Sequence, residues 1–380
     1  VSIRTFALVY SVKEKFDVIV LGVGTMGAAT CYALARRGMK VLGLEQFEIV
    51  HTRGSHSAHT RLIRQSYFEH EDYVPLLQEA HKLWKVLEAE SGRKMYHEEG
   101  LLYCGEVTGD MLSGVRKSSL KHKIQLDDVS AAAWLKQLNF HPEYAALWEP
   151  VAGYLDVEQA ILGFVDMATK NGATIYQHQE VKGWNVEEDL VSVTTAADTY
   201  QADKLVITAG AWSTDLLQGI VPMSVTKQNV AWFSPDDPDF MLPCWCMDHP
   251  SGKGIYYGFP KDQFGFKIGH HHPGSSIEPE VLDSEVSDAD INELRSVLEH
   301  LKPGTKFSLT NTSTCLYSMT QDGHFTLDIV PDTHERICFA AGFSGHGFKF
   351  APVVGEVLAD LSLKGATLRP IDFLKVARFD

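Results

Sequence analysis

Three glycines near the start of the chain have the types and spacing of a phosphate-binding turn. Gly22, Gly24 and Gly27 follow the apolar run at residues 16–21, and an alanine-rich stretch follows them. In this setting the first glycine allows a tight turn, the second lets the backbone approach a pyrophosphate, and the third permits close helix packing. A second apolar run ends at Glu45, which is placed to accept hydrogen bonds from a ribose hydroxyl. The motif predicts dinucleotide binding without choosing between NAD and FAD.

A second glycine-rich turn lies near the other end of the chain, at residues 342–349, with the sequence GFSGHGFK. Two apolar runs at 325–330 and 336–341 precede it and are typical of strands, and residues 350–361 follow with the spacing of a helix that has one buried face. A glycine turn at a helix N-terminus is a second place for the polar atoms of a cofactor. The two turns together predict a nucleotide domain assembled from discontinuous segments.

The elements that must position these turns are visible as changes of hydrophobic pattern. We expect a helix at residues 28–38, a strand at 40–44 and an amphipathic helix at 69–90. The apolar run at 204–212 is typical of another buried parallel strand. Residues 221–320 are richer in aromatic residues and prolines and favour an antiparallel substrate domain.

Composition excludes several classes of function. The chain has 380 residues, is 44% hydrophobic and carries a formal charge of −15, which disfavours non-specific binding to nucleic acid or anionic membranes. Its six cysteines are scattered and are expected to be reduced thiols. No run has the roughly 20 apolar residues of a membrane helix. The opening residues 1–10 lack a signal-peptide cleavage site, and the C-terminus lacks a peroxisomal address, so a cytoplasmic location is expected.

Several motifs, taken together and in order, resemble monomeric sarcosine oxidase and its relatives N-methyltryptophan oxidase and pipecolate oxidase. The likeness runs from about Phe16 to the end of the chain. It rests on Gly22-Val-Gly-Thr-Met-Gly27, Gly54-Ser-His56, Thr60-Arg61-Leu-Ile-Arg64, Tyr256-Tyr257-Gly-Phe-Pro260, Lys267, Cys315-Leu-Tyr317 and the turn at 342–349.

This resemblance implies an α/β fold plus an antiparallel sheet. Residues 1–93, 155–226 and 320–380 would form a Rossmann-like FAD-binding domain of the glutathione-reductase-like class. Residues 94–154 and 227–319 would form the mainly antiparallel substrate domain. A monomer is favoured.

The resemblance also implies a covalently attached FAD. A cysteine that matches Cys315 forms a thioether to the flavin 8α carbon, chemistry that needs a thiolate. The residues expected to contact the cofactor are Gly22, Gly24, Thr25, Met26, Gly27, Glu45, Ser55, His56, Thr60, Arg61, Val181, Gly210, Trp212, Cys315, Gly342, Phe343, Gly345, Gly347, Phe348 and Lys349.

The substrate implied by the resemblance is a small secondary amino acid such as sarcosine. Arg64 and Lys349 match a carboxylate-binding pair, in which an arginine fork suits a planar carboxylate and a lysine adds a point charge. Tyr257, Tyr317 and His271 match residues that line the substrate cavity. Oxidation would give an imine that water hydrolyses, with O2 reduced to H2O2.

Two further cations are expected next to the flavin ring. Lys267 matches a lysine above flavin N5, where a cation can stabilise the superoxide that forms when reduced flavin reacts with oxygen. Arg61 matches a second cation close to the isoalloxazine. Histidines are numerous at residues 51–59 and 270–272, but no carboxylate or cysteine joins them at ligand spacing, so no metal is expected.

Other interpretations remain open. The chain departs from the family at His59, where sarcosine oxidase has an acidic residue, at Ser57, which replaces a histidine, and in the segment 244–250, which carries an extra residue. The substrate could therefore be N-methyltryptophan, pipecolate, a proline-like amino acid or a larger N-substituted amino acid. The rival activities are an amino-acid dehydrogenase with another acceptor, which Lys267 argues against, an NAD-dependent reductase, which Cys315 argues against, and an FAD-binding module without turnover.

Overall fold

A computed structural model describes residues 15–187, 189–217, 219–249, 252–271, 274–281 and 284–379 of the chain. The opening stretch at 1–10, residue 250 and His272, which figure in the sequence analysis, lie outside the described residues. No helix among those described is long and apolar enough to cross a membrane.

The strands alternate with helices in the first half of the chain and dominate the second half. In chain order they are β1 (Lys15–Leu21), β2 (Val41–Leu44), β3 (Thr60–Ile63), β4 (Tyr96–His97), β5 (Leu101–Glu106), β6 (Asp127–Asp128), β7 (Tyr144–Glu149), β8 (Gly153–Asp156), β9 (Thr174–Tyr176), β10 (Val181–Val186), β11 (Val191–Thr195), β12 (Thr199–Ile207), β13 (Met223–Pro235), β14 (Cys244–Asp248), β15 (Ile255–Gly258), β16 (Phe266–His271), β17 (Ser275–Ser276), β18 (Phe307–Thr320), β19 (Thr326–Ile329) and β20 (Ile337–Ala341).

Some of the helices connect two strands of one sheet, and others connect strands of different sheets. They are α1 (Thr25–Ala35), α2 (Val74–Ser91), α3 (Asp110–His122), α4 (Val157–Lys170), α5 (Ser213–Leu216), α6 (Asp288–Leu301) and α7 (Ala351–Lys364). Short 3-10 helices occur at Glu71–Tyr73, Ala133–Gln137, Gly210–Trp212, Pro279–Val281, Phe348–Phe350, Asp372–Leu374 and Val376–Phe379.

The first large sheet is built around the parallel strands β9, β2, β1, β12 and β20, in that order. The antiparallel strands β10, β11 and β19 extend it. Alternate residues of β1 point to opposite faces, so Val18 and Val20 pack against α1, α2, α4 and α7, while Ile19 and Leu21 join a core with β11. The helices therefore cover one face of this sheet.

The second large sheet has the order β17, β13, β16, β15, β14, β5, β7, β6, with β18 paired to the other edge of β13. Its pairs are antiparallel except β14 with β5. The helix α6 packs on one face through Ile291, Leu294 and Leu298. A small antiparallel sheet of β3, β8 and β4 lies apart from both.

Most predicted elements are confirmed by the structure. The expected helix at 69–90 is a 3-10 turn followed by α2, and the antiparallel character of 221–320 is seen in β13, β16 and β18. The strand predicted at 204–212 is wrong at its end. It stops at Ile207, because Gly210 adopts a φ of 56° and begins a 3-10 turn. The predicted domain limits stay a prediction, and β13 and β18 each run across one of them.

Candidate active site

A cavity of about 510 Å³ is lined by residues of both large sheets and of the turns that follow their strands. The predicted site residues that line it are Gly22, Gly24, Thr25, Met26, Glu45, Ser55, His56, Arg61, Arg64, Val181, Gly210, Trp212, Tyr257, His271, Cys315, Tyr317, Gly342, Phe343, Gly345, Gly347, Phe348 and Lys349. Gly27, Thr60 and Lys267 lie behind this lining. The structure thus brings together segments from both ends of the chain.

The first glycine turn packs so tightly that a side chain at its third glycine is impossible. A Cβ on Gly27 would lie 1.8 Å from the carbonyl oxygen of Gly22, so the first turn of α1 rests directly on the end of β1. Gly24 is the N-cap of α1 and faces the cavity. The free N–H groups and the positive end of the helix dipole are therefore available to an anion there.

Glu45 holds the same turn from the end of β2. Its Oε2 accepts a hydrogen bond from Val23 N at 2.8 Å, and its Oε1 accepts one from Phe47 N at 3.0 Å. Burial raises the pKa of Glu45, while these two backbone hydrogen bonds lower it. The carboxylate thus ties the glycine turn to the segment that follows β2.

The second glycine turn presses against the strand β18. Gly345 has a φ of +80°, and a Cβ there would lie 2.2 Å from the ring of Tyr317. A residue with a side chain would meet both a strained backbone and a collision with the ring. Glycine at this position therefore lets the turn at 342–349 reach the cavity.

Cys315 lies in β18, is 3% exposed and lines the cavity. Burial raises the pKa of its thiol, and the positive charges of Arg61 and Lys267 oppose that shift. The neighbouring carbonyl oxygen of Thr314 accepts a hydrogen bond from Ser57 Oγ, which ties the strand to the loop before β3. The net shift of this pKa is upward, so Cys315 is a thiol at neutral pH, and the two cations reduce the cost of forming a thiolate there.

Arg61 and Lys267 are both held by backbone carbonyl groups. Arg61 donates to Ser55 O at 2.7 Å and to Ser57 O at 2.5 Å. The Nζ of Lys267 donates to Ala58 O at 2.5 Å, and to Thr60 O at 2.8 Å and Thr60 Oγ1 at 3.1 Å.

Each N–H group of the Lys267 ammonium thus has a hydrogen-bond acceptor, and the ammonium lies behind the residues that line the cavity. Its side chain is 1% exposed, and Nζ lies 4.5 Å from the centre of the Phe259 ring. Burial, and then Arg61, lower its pKa well below the usual range for lysine. Three oxygen acceptors for three N–H donors offset part of the cost of burying this group.

Arg64 forms a buried ion pair with Glu69. Its Nη2 donates to both carboxylate oxygens, at 2.6 Å and 2.7 Å, and its Nη1 donates to Ser66 O at 3.0 Å. Burial opposes ionisation of Glu69, but Arg64, His346 and Lys349 together outweigh it and lower the pKa of that carboxyl to about 2. Sequence reasoning missed Glu69, which lies five residues after Arg64 in the cavity lining.

Lys349 approaches the same point from the second glycine turn. The Arg64 guanidinium lies 4.2 Å and the Lys349 Nζ 5.3 Å from the centre of the Tyr67 ring. Burial, and then Arg64, lower the pKa of Lys349 to about 7. Its Nζ has one hydrogen-bond acceptor among the described residues, His346 O at 2.8 Å. Two of its three N–H donors are therefore available to a ligand.

The predicted substrate-cavity residues carry uncharged rings. Burial lowers the pKa of His271 to about 4 and raises that of Tyr257 to about 12. It also raises the pKa of Tyr317 well above the usual range, and the two phenols are hydrogen-bonded to each other. The His271 and Tyr317 rings lie 6.1 Å apart. At neutral pH these three side chains are hydrogen-bonding groups rather than charges.

Comparison with known proteins identifies the family. The model of the FAD dependent oxidoreductase family matches residues 17–361. The chain belongs to this family. It is 36% identical to a monomeric sarcosine oxidase of Bacillus sp. (strain B-0618), across 96% of this chain and 97% of that one. It is 31% identical to an N-methyl-L-tryptophan oxidase of Yersinia pestis (strain Pestoides F), across 96% and 99%. The resemblance inferred from the motifs is thereby confirmed.

A solved structure of a family member has the same fold. NikD, described as an unusual amino acid oxidase essential for nikkomycin biosynthesis, superimposes with a TM-score of 0.84 at 26% identity, across 96% of this chain and 98% of that one. The first sheet with its helices is thus the Rossmann-like FAD domain of an FAD-dependent oxidoreductase, and the second sheet belongs to a second domain.

The residues present fit FAD. The lining of the cavity includes residues of both glycine turns, Cys315 and Arg64. The imidazole of His56 lines it, and the buried His56 Nε2 has no hydrogen-bond partner within the described part of the chain. A buried nitrogen without a partner is costly, and a polar cofactor atom would supply one. The structure groups no three His, Cys, Asp or Glu side chains for a metal among the residues it describes.

Proposed function

We propose that this chain oxidises a small secondary amino acid, such as sarcosine, at an FAD attached to Cys315. The products would be an imine, hydrolysed to aldehyde and amine, and H2O2 from O2. The names of the relatives, monomeric sarcosine oxidase and N-methyl-L-tryptophan oxidase, support this class of substrate. A monomer is in keeping with the first of them.

The single observation that carries the proposal is that two buried cations line the same cavity and lie over the same aromatic ring. Arg64 is 4% and Lys349 6% exposed, and both lie over the ring of Tyr67. Burying two positive charges away from water costs free energy unless an anion is bound between them. Glu69 balances one of the two positive charges, and a substrate carboxylate, which would compete with Glu69 for Arg64, would balance the second.

The remaining residues would orient the substrate rather than transfer protons. When bound, FAD supplies a two-electron acceptor for a C–H bond next to nitrogen. Tyr257, Tyr317 and His271 stay neutral near pH 7 and offer no strong base. The substrate amine must therefore lose its proton to water before oxidation, so the rate should rise with pH as the free amine increases.

Covalent attachment is part of the same proposal. Cys315 lines the cavity and is accompanied by Arg61, whose guanidinium is fixed by backbone carbonyls. A fixed cation next to a thiol favours the thiolate that bond formation needs.

A dehydrogenase that uses another electron acceptor is the second candidate. Lys267, which the resemblance assigns to the reaction with oxygen, directs its Nζ to Ala58 and Thr60 and does not line the cavity. That orientation favours a structural role for this lysine.

The test is a substrate panel on the purified flavoprotein. Sarcosine, N-methyltryptophan, pipecolate and proline, each as free acid and as methyl ester, are mixed anaerobically with the protein, and bleaching of the flavin is followed by absorbance. Air is then admitted, and peroxide is measured with and without an artificial acceptor dye. We expect the free acids to bleach the flavin faster than the methyl esters do. The Lys349→Met variant should lose this preference for the free acids. Lys117→Met, at an exposed lysine of α3, is the control. Bleaching without peroxide would select the dehydrogenase, and no bleaching by any amino acid would refute the proposal.

A further inference from the structure

Glu149 is a buried carboxylate to which neither the sequence motifs nor the proposed reaction assigns a role. It ends the strand β7 and is 0% exposed. It accepts hydrogen bonds from Gln65 N at 2.6 Å, from Ser66 N at 3.1 Å and from Tyr103 Oη at 2.8 Å. Burying a carboxylate costs free energy, so we expect the hydrogen bonds of Glu149 to serve a function nearby.

Those contacts fix the two residues that directly follow Arg64. The Ser66 peptide is held on both sides, because Glu149 accepts from its N–H while its carbonyl oxygen accepts from Arg64 Nη1 at 3.0 Å and from Tyr103 Oη at 3.2 Å. The segment comes after β3, whereas Glu149 and Tyr103 belong to the second large sheet. A carboxylate of the second large sheet thus holds the backbone that directly follows Arg64.

The alternative is that Glu149 only neutralises a buried charge. Arg64 already has a carboxylate partner in Glu69, which takes its Nη2 through both oxygens. Glu149 forms its hydrogen bonds with the backbone and a phenol, and its Coulombic interaction with Arg64 is smaller than the effects of those hydrogen bonds on its own pKa. Its geometry is that of a backbone clamp.

We infer that Glu149 is a positioning residue that holds the Arg64 guanidinium in the orientation in which it binds the substrate carboxylate. This inference rests on the proposed function of Arg64. It extends the site to a residue outside the cavity lining, on a strand that contributes nothing else to carboxylate binding.

The experiment compares Glu149→Gln with the control Glu143→Gln, an exposed residue just before β7. Glutamine offers one acceptor oxygen, so one of the two backbone N–H groups would face an amide NH2. Acetate is titrated against the holoenzyme by flavin absorbance, and sarcosine is used in anaerobic reduction to separate its Kd from the limiting rate. We expect the Kd of acetate and of sarcosine to rise about tenfold, comparable to loss of one hydrogen bond to a charged group, with the limiting rate nearly unchanged.

The same substitution is made in an Arg64→Ala background. If Glu149 acts through Arg64, Glu149→Gln adds nothing to the acetate Kd there, since coupled residues are not additive. An equal rise in Kd in both backgrounds, or an unchanged Kd in the single variant, would overturn the inference. If Glu149→Gln does not fold, Tyr103→Phe removes the donor shared by Glu149 and Ser66 and should raise the Kd in the same direction.

The outcomes also separate this inference from the proposed function. If the wild-type protein binds acetate and oxidises sarcosine, and Glu149→Gln has the same Kd and rate, only the role of Glu149 is refuted. Wild-type protein that binds no carboxylate refutes the role of Arg64, and the positioning role of Glu149 with it.

Discussion

The carboxylate of Glu69 accepts hydrogen bonds from the Arg64 guanidinium, and its two oxygens lie 2.6 Å and 2.7 Å from Nη2. This pair lies in the cavity at the place where the proposed substrate carboxylate would bind. Internal and external carboxylates would therefore compete for one arginine. The affinity of a substrate is then the difference between two ion pairs rather than the strength of one.

The first prediction concerns this competition. Glu69→Gln removes the internal anion, so acetate should bind about tenfold more tightly, roughly 1.4 kcal/mol. Flavin absorbance titration at pH 6 measures the Kd. The control is Glu71→Gln, two residues further on, whose partners are the exposed lysines Lys117 and Lys121. Weaker binding in Glu69→Gln would show that Glu69 orients Arg64 instead of competing for it.

The second prediction concerns the pH dependence of carboxylate binding. Burial and Arg64 lower the pKa of Lys349 to about 7, so the side chain is cationic below that pH and neutral above it. A bound carboxylate favours the cation. The Kd of acetate should therefore be constant below pH 7 and rise above it, by up to about tenfold per pH unit.

The control variants separate Lys349 from other groups that titrate. Lys349→Met should bind acetate weakly with no such rise between pH 6 and 9, whereas Lys349→Arg should remain charged and bind at pH 9 as it does at pH 6. A rise of the same size in Lys349→Met would assign the titration to a different residue.

The third prediction concerns flavin attachment. Acid precipitation of the wild-type protein should leave the flavin in the pellet, and Cys315→Ala should release it to the supernatant. Cys338→Ala is the control, because Cys338 is also buried but lies in β20, away from the cavity lining. Flavin absorbance of the two fractions gives the result. Free flavin from wild type would refute a covalent bond at Cys315.

The local parts of the fold could be predicted from the sequence, because their physics lies within a few residues. The unit from Gly22 to Glu45 has its turn, helix and acid in one short stretch. The helix α6 could also have been predicted, since Ser287 caps it and Ile291, Leu294 and Leu298 have helical spacing. It is absent from the sequence prediction because the prolines and aromatic residues of this region indicated an antiparallel sheet.

Contacts between distant segments could not be predicted in this way. Arg64 and Lys349 are predicted as a pair because each lies in a motif of the resemblance, but nothing local indicates that both lie over Tyr67. The hydrogen bonds from Lys267 to the backbone at residues 58–60 depend on the packing of β16 against a loop two hundred residues earlier. Only the tertiary structure supplies such pairs.

The last prediction separates two roles of Lys267. Its Nζ donates to Ala58 O, Thr60 O and Thr60 Oγ1, in a loop where Ala58 and His59 have positive φ angles of 75° and 60°. Removing the ammonium takes one donor from each of these oxygens, although Ala58 O still accepts from Thr60 N at 2.7 Å and Thr60 O from Arg61 Nη1 at 2.8 Å. Lys267→Met should therefore lower the free energy of unfolding by about 1–3 kcal/mol. If the lysine also acts as a cation in the reaction with oxygen, reoxidation of reduced flavin should slow by orders of magnitude while anaerobic reduction by substrate stays comparatively intact.

Lys267→Gln distinguishes the two effects, because its amide keeps N–H donors for the loop but carries no charge. Thermal unfolding reports the structural role, and stopped-flow absorbance times reduction and reoxidation separately. A glutamine variant that is more stable than the methionine variant but reoxidises as slowly would establish that the charge itself serves oxygen reduction. Wild-type reoxidation in both variants would leave Lys267 as a structural lysine, and the cation that serves oxygen should then be sought at Arg61, which lines the cavity.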